Sequence, residues 1–110
     1  MYKGTIVENS LKDTSVLSEL TVTKTWRDGD WTLYNVIISE DQISGLAKCL
    51  NNGPWYIHLW KEGTDEVRVI FKEKIFTIKH SDKSTWTSAV SYGKSIGIPE
   101  QQLDFPILSI

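Results

Sequence analysis

Apolar and polar residues alternate along most of this chain, and helical spacing takes over where the alternation stops. Residues 3–8 alternate as a first strand. Residues 20–27 and 30–38 read as two strands joined by Asp28-Gly29, a dipeptide suited to a two-residue type I′ hairpin. That turn opposes Arg27 to Asp30 and Trp26 to Trp31, so two indoles stack across the strands. Thr25 then meets Thr32, and Thr23 meets Tyr34. Three further strands follow at about 54–61, 66–72 and 75–80, with Glu62 to Asp65 and Glu73-Lys74 as the turns.

Helical spacing appears three times. Ser10 is placed to cap a short helix bearing Val16, Leu17 and Leu20 on one side, with Asp13 three residues after the cap. Ser39 and Gln42 form a capping box, and Glu40 and Asp41 lie where the helix dipole favours negative charge. Ile43, Leu46, Ala47 and Leu50 then recur as one buried stripe, ended by Asn51-Asn52-Gly53-Pro54. Ser84 is the expected cap of a last helix with Trp86, Ala89, Val90, Gly93 and Ile96 on its core side, stopped by Gly97. Gly93 on that side predicts a close approach to the sheet. Pro99 can open one more helical turn through Leu103.

The order β-α-β-β-α-β-β-β-α predicts a single α+β domain over residues 1–110. Its expected architecture is an antiparallel-rich sheet of about six strands, with two to three helices mainly on one face. A chain of 110 residues buries enough surface to fold without staples. A net charge of −2 argues against a general binder of nucleic acid or anionic membrane, and there is no run of apolar residues long enough to span a bilayer. Cys49 is the single cysteine, which excludes an intrachain disulfide. No signal-peptide pattern opens the chain, so a cytoplasmic location is the expectation.

Candidate chemistry is sparse. Gly93-Lys94-Ser95 imitates the end of a phosphate-binding loop, but Ser88 stands where the second glycine belongs and the tripeptide falls near a helix C-terminus. His58 and His80 are isolated, and one cysteine cannot complete a zinc site with them. Cys49 adjoins an apolar stripe without a nearby base. The pairs Asp28/Asp30, Glu40/Asp41 and Asp65/Glu66 are each accounted for by a turn or a helix start. No catalytic residue, cofactor or metal is assigned.

One constellation has the composition of a binding surface. With Glu73-Lys74 as the turn, Phe71 pairs with Phe76 and Val69 with Ile78 on a wholly apolar face. The opposite face carries Arg68, Ile70 and Lys72 beside Ile75, Thr77 and Lys79. An odd loop after the 54–61 strand adds Tyr56, His58 and Trp60 to this mixed face; an even loop adds Trp55, Ile57 and Leu59 instead. In the odd case Tyr56, His58, Trp60, Arg68, Lys72 and Lys79 form an aromatic and basic surface of the kind that stacks single-stranded nucleic acid. In the other reading the aromatics pack beneath a helix or loop, and the local charges nearly cancel.

Gly53-Pro54-Trp55-Tyr56-Ile57-His58-Leu59-Trp60 and the stretch from Tyr92 to Phe105 resemble segments of a family of small prokaryotic proteins of about this length. That family carries no assigned activity, so the resemblance transfers no functional residue. The chain ends on Phe105, Ile107, Leu108 and Ile110 around Pro106, an apolar tail expected to dock on its own domain or on a partner. Together these features point to an interaction or accessory module, with a protein partner or a homodimer as the expected company. A binder of single-stranded nucleic acid or another anionic ligand, or a small enzyme with a site assembled in three dimensions, are the alternatives.

Overall fold

The structure, a computed structural model, describes residues 1–107. Six strands form one antiparallel sheet: β1 (Tyr2–Val7), β2 (Thr21–Asp28), β3 (Trp31–Ile38), β4 (Ile57–Lys61), β5 (Glu66–Phe71) and β6 (Lys74–Lys79). Their spatial order is β2-β3-β1-β4-β5-β6. Two α-helices, α1 (Glu40–Lys48) and α2 (Thr87–Ser95), join them, together with short 3-10 segments. This is the expected α+β architecture with the expected order of elements. Among the described residues no helix is long and apolar enough to cross a membrane.

The helices differ from expectation in one important respect: they pack on opposite faces of the sheet. Ile43, Leu46 and Ala47 of α1 join Tyr2, Ile6, Val36, Ile38, Ile57, Leu59 and Ile70 in one buried cluster. Ala89 of α2 joins Trp60, Val67, Val69, Phe71 and Ile78 in a second. Successive strand residues point to opposite faces. Leu59 and Trp60 are neighbours and both are buried, so β4 is apolar on two sides and needs a cover on each.

Local signals are met closely at the helices. The Ser39/Gln42 capping box opens α1, with the Ser39 N–H donating to Gln42 Oε1 at 2.9 Å. Beyond α2, the Gly97 N–H donates to Lys94 O at 3.1 Å and the Ile98 N–H to Gly93 O at 3.0 Å. These two bonds, with Gly97 at φ +98°, make a Schellman stop. Other starts move: Asp82 rather than Ser84 caps the 3-10 turn (Lys83–Trp86) that leads into α2. The segment after Ser10 is not an α-helix but a 3-10 turn (Thr14–Glu19) capped by Asp13. Gly93 does approach something closely, but it is Leu103: a Cβ there would lie 2.6 Å from Leu103 Cδ2.

Both hairpin turns sit one residue from the expected place, which moves every cross-strand partner by two. Asp28 pairs with Trp31, Arg27 with Thr32 and Trp26 with Leu33, leaving Gly29-Asp30 as the turn. Gly29 has φ +62° and Asp30 keeps an ordinary φ. That is the pattern of a type II′ turn, which needs glycine only at its first position and spares Asp30 the left-handed region. Trp26 and Trp31 therefore lie diagonally on one face instead of opposed. Likewise Phe71 pairs with Lys74 and Val69 with Phe76, so the turn is Lys72-Glu73. Glu73 adopts φ +58°, held by its N–H donating to Ala47 O of α1 at 3.2 Å.

The β1–β4 seam joins the two halves of the sheet through three pairs: Tyr2–Lys61, Lys3–Trp60 and Gly4–Leu59. A Cβ on Gly4 would lie 2.5 Å from Leu59 Cδ2 and 2.8 Å from His58 O, and the backbone oxygen cannot swing away. Gly4→Ala is expected to lower stability by about 2 kcal/mol and the melting temperature by roughly 10 °C. Gly93→Ala meets only the tip of a leucine side chain and should lose less. Thermal unfolding of the two variants by circular dichroism checks the ranking.

Candidate functional site

The even loop holds after β4. Trp60 pairs with Val67 and His58 with Val69, while Leu59 pairs with Arg68. Tyr56, His58 and Trp60 therefore belong to the apolar face beneath α2, and Arg68 points the other way. The expected aromatic and basic surface of Tyr56, His58, Trp60, Arg68, Lys72 and Lys79 is not brought together. The reason is parity: six residues separate Trp60 from Val67, and an odd number would have put both groups on one side.

Each of those residues has separate surroundings. The Tyr56 hydroxyl donates to Gln102 O, and burial followed by the nearby Asp104 charge pushes its pKa up to about 12. His58 Nε2 lies 3.0 Å from Pro106 O, so the ring donates through Nε2–H. Phe105 is fully buried over this row, 5.7 Å from the Tyr56 ring, 5.9 Å from His58 and 5.1 Å from Trp86. The aromatic row thus holds the chain's own C-terminal segment. Ile107 is exposed; Leu108 and Ile110 lie outside the described residues.

Arg68 belongs to a polar cluster on the α1 face. Its Nε donates to Glu66 at 3.1 Å, its Nη2 to Glu40 of α1 at 2.5 Å, and its guanidinium lies 5.3 Å from the Tyr2 ring centre. The Tyr2 hydroxyl also donates to Glu66, and burial and that carboxylate raise its pKa to about 12. The same hydroxyl holds the Glu66 carboxyl below the usual range. Lys72 sits in the β5–β6 turn and Lys79 ends β6, where its carbonyl accepts from Trp86 Nε1 at 2.9 Å.

The remaining candidates are also dispersed. The His80 N–H donates to Asp65 O at 2.9 Å, and its ring lies 6.1 Å from Trp86. Burial, with the charges of Asp13 and Glu19, raises the Cys49 thiol pKa, the opposite of nucleophile activation. Among the described residues no three His, Cys, Asp or Glu side chains converge, and every buried side-chain nitrogen or oxygen has a hydrogen-bond partner.

What the structure does assemble is a half-face that neither helix covers, partly exposed and with Asn35 buried within it. On the side of the sheet that carries α2, the second buried cluster includes no residue of β1, β2 or β3. Alternation places Lys24, Trp26 and Asp28 of β2, Trp31, Leu33, Asn35 and Ile37 of β3, and Lys3, Thr5 and Val7 of β1 on this side. Lys24 Nζ lies 5.3 Å from the Trp26 ring centre. Trp31 is 46% exposed and meets Trp55, from the segment before β4, edge to face at 6.3 Å. Thr5 donates to Asn35 Oδ1 at 2.7 Å, and Lys3 pairs with Glu62 at 2.5 Å. The tandem tryptophans were visible in the sequence as a hairpin; that their face stays open depends on where α2 packs.

The chain matches no known family model, no curated protein and no solved structure.

Burial drives the His58 pKa below its ordinary 6.5, against the opposing pull of Pro106 O and Asp104. The unfolded chain therefore takes up this proton first as pH falls. The stability associated with neutral His58 is complete above about pH 6.5 and is lost as pH drops through the folded value. His58→Gln is expected to flatten that limb of a stability–pH curve measured by urea unfolding. Phe105→Ala should lower stability by about 3 kcal/mol, whereas Ile107→Ala changes it little; denaturant midpoints distinguish the two.

Proposed function

We propose that this protein is a non-enzymatic interaction module that engages a partner protein through the uncovered half of its sheet. One observation carries the reading: Trp26, Trp31 and Leu33 stand on a sheet face to which neither helix contributes cover, with Trp55 against Trp31. Tryptophan offers large contact area with two rotatable bonds and is enriched at the centres of interfaces. Lys24, Asp28 and the Lys3–Glu62 pair supply a polar surround of mixed sign. Mixed charge suits a protein surface better than a phosphate backbone, which draws its affinity from uncompensated Lys and Arg.

The test is quantitative capture from extracts of the source cells with three immobilised proteins of verified fold: the wild type, a Trp31→Ser/Trp55→Ser variant, and Lys83→Ala outside the face. The expected outcome is a protein retained by the wild type and Lys83→Ala, with at least tenfold loss on the double variant. Equal retention by all three, or retention of nothing, overturns the reading. Salt-sensitive binding of a polythymidine oligonucleotide that is lost with the two tryptophans would replace it with a nucleic-acid one.

A further inference from the structure

The two edges of the sheet are finished differently. At β6, the Lys79 N–H donates to Thr85 Oγ1 at 2.9 Å, its carbonyl accepts from Trp86 Nε1, and Lys79 bridges to Asp82. The segment that leads into α2 thus caps the last residue of that edge. At the other edge, β2 is eight residues long and seven of them are exposed. The Asp28–Trp31 pair closes a two-residue turn and so exchanges both of its hydrogen bonds; alternation gives the same role to Trp26–Leu33. The N–H and C=O groups of Thr25 and Arg27 consequently point outward, away from β3. Among the described residues nothing caps them.

We propose that this edge pairs with a second copy of the same chain, β2 against β2 and antiparallel, with the two-fold axis at Trp26. The proposal rests on the reading of the protein as an interaction module and names one of its partners.

Backbone parity and side-chain charge select the same register. Only outward-pointing residues can exchange hydrogen bonds across the new edge, and centring on Trp26 places Thr25 opposite Arg27 of the second copy, and the reverse. Trp26 then faces its own counterpart in a non-hydrogen-bonded pair, where side chains come closest. Lys24 falls opposite Asp28 of the second copy, twice by symmetry, so two ion pairs flank the paired indoles on the uncovered face. The neighbouring allowed registers lose this match. Centring on Thr25 sets Asp28 against Val22 and runs into the bulge between Val22 and Lys24. Centring on Arg27 opposes that arginine to itself. The resulting twelve-stranded sheet would make the two open half-faces continuous and leave Trp31 and Trp55 free for another partner.

The experiment is sedimentation velocity of the whole chain over a concentration series, with Lys24→Asp, Asp28→Lys and their equimolar mixture. Both substitutions fall on exposed positions, and melting temperatures within a few degrees of wild type verify the folds. The wild type is expected to show a concentration-dependent dimer. Each single variant opposes like charges twice in this register, so its self-association should weaken at least tenfold. In the mixture both cross-strand pairs become Asp opposite Lys, and a heterodimer should return at wild-type strength. A wild type that stays monomeric up to its solubility limit overturns the proposal. So does a dimer that either single variant leaves intact, or a mixture that fails to associate. Neither substitution touches Trp31 or Trp55, so loss of partner capture by the Trp31→Ser/Trp55→Ser variant reports separately on the open face.

Discussion

The whole sheet hangs on the short seam between β1 and β4. On one side lies the meander-like half β2-β3-β1, on the other the meander β4-β5-β6, and only three residue pairs join them. The seam is tight because Gly4 has no Cβ to hold Leu59 and the His58 carbonyl away. It is reinforced by long-range contacts: the Tyr2 hydroxyl reaches Glu66 on β5, and Lys3 reaches Glu62 in the loop beyond β4. Glu66 and Glu40 converge on Arg68, so one polar cluster ties β1, β5 and the start of α1 together. Exposed ion pairs contribute little on their own. Here they are anchored on a buried tyrosine, which makes them a positional device more than a reservoir of stability.

From that seam follows the unequal covering of the sheet. α1 and its preceding 3-10 segments roof one face across both halves, drawing residues from β1, β3, β4 and β5 into one cluster. α2 and the segment from Ile98 to Phe105 roof only the β4–β6 half of the other. A nine-residue helix is only about 14 Å long. α1, equally short, is extended over its face by the 3-10 segments before it, whereas the segment from Ile98 to Phe105 keeps with α2 over β4, β5 and β6. The tryptophan hairpin on that face is left without helical cover because α2 and that segment both pack on the β4–β6 half, and the functional proposals both arise there.

The C-terminal segment contributes to this asymmetry. Phe105 fills the space over Tyr56, His58 and Trp86, and His58 and Tyr56 hold the adjacent backbone carbonyls. A row of aromatics that in sequence has the look of a ligand platform is spent on intramolecular docking. The alternation around His58 leaves both uses open, because a side chain's partner from a distant segment leaves no trace in its neighbours along the chain.

Local physics was legible from the residues themselves. The strand alternation, the Ser39/Gln42 capping box, the Gly97 stop and the α+β order all depend on contacts within a few positions, and the structure repeats them. Even the hairpins were legible in kind. Their registers moved by two because glycine alone at the first turn position costs less than Asp28 in the left-handed region, and because Ala47 of α1 supports Glu73 there. Tertiary structure decided what depends on distant partners. The even loop length assigned the faces of β4, and α2 took the face opposite α1 because β4 is apolar on both sides. Periodicity says that a strand has two faces; only packing says which of them water still reaches.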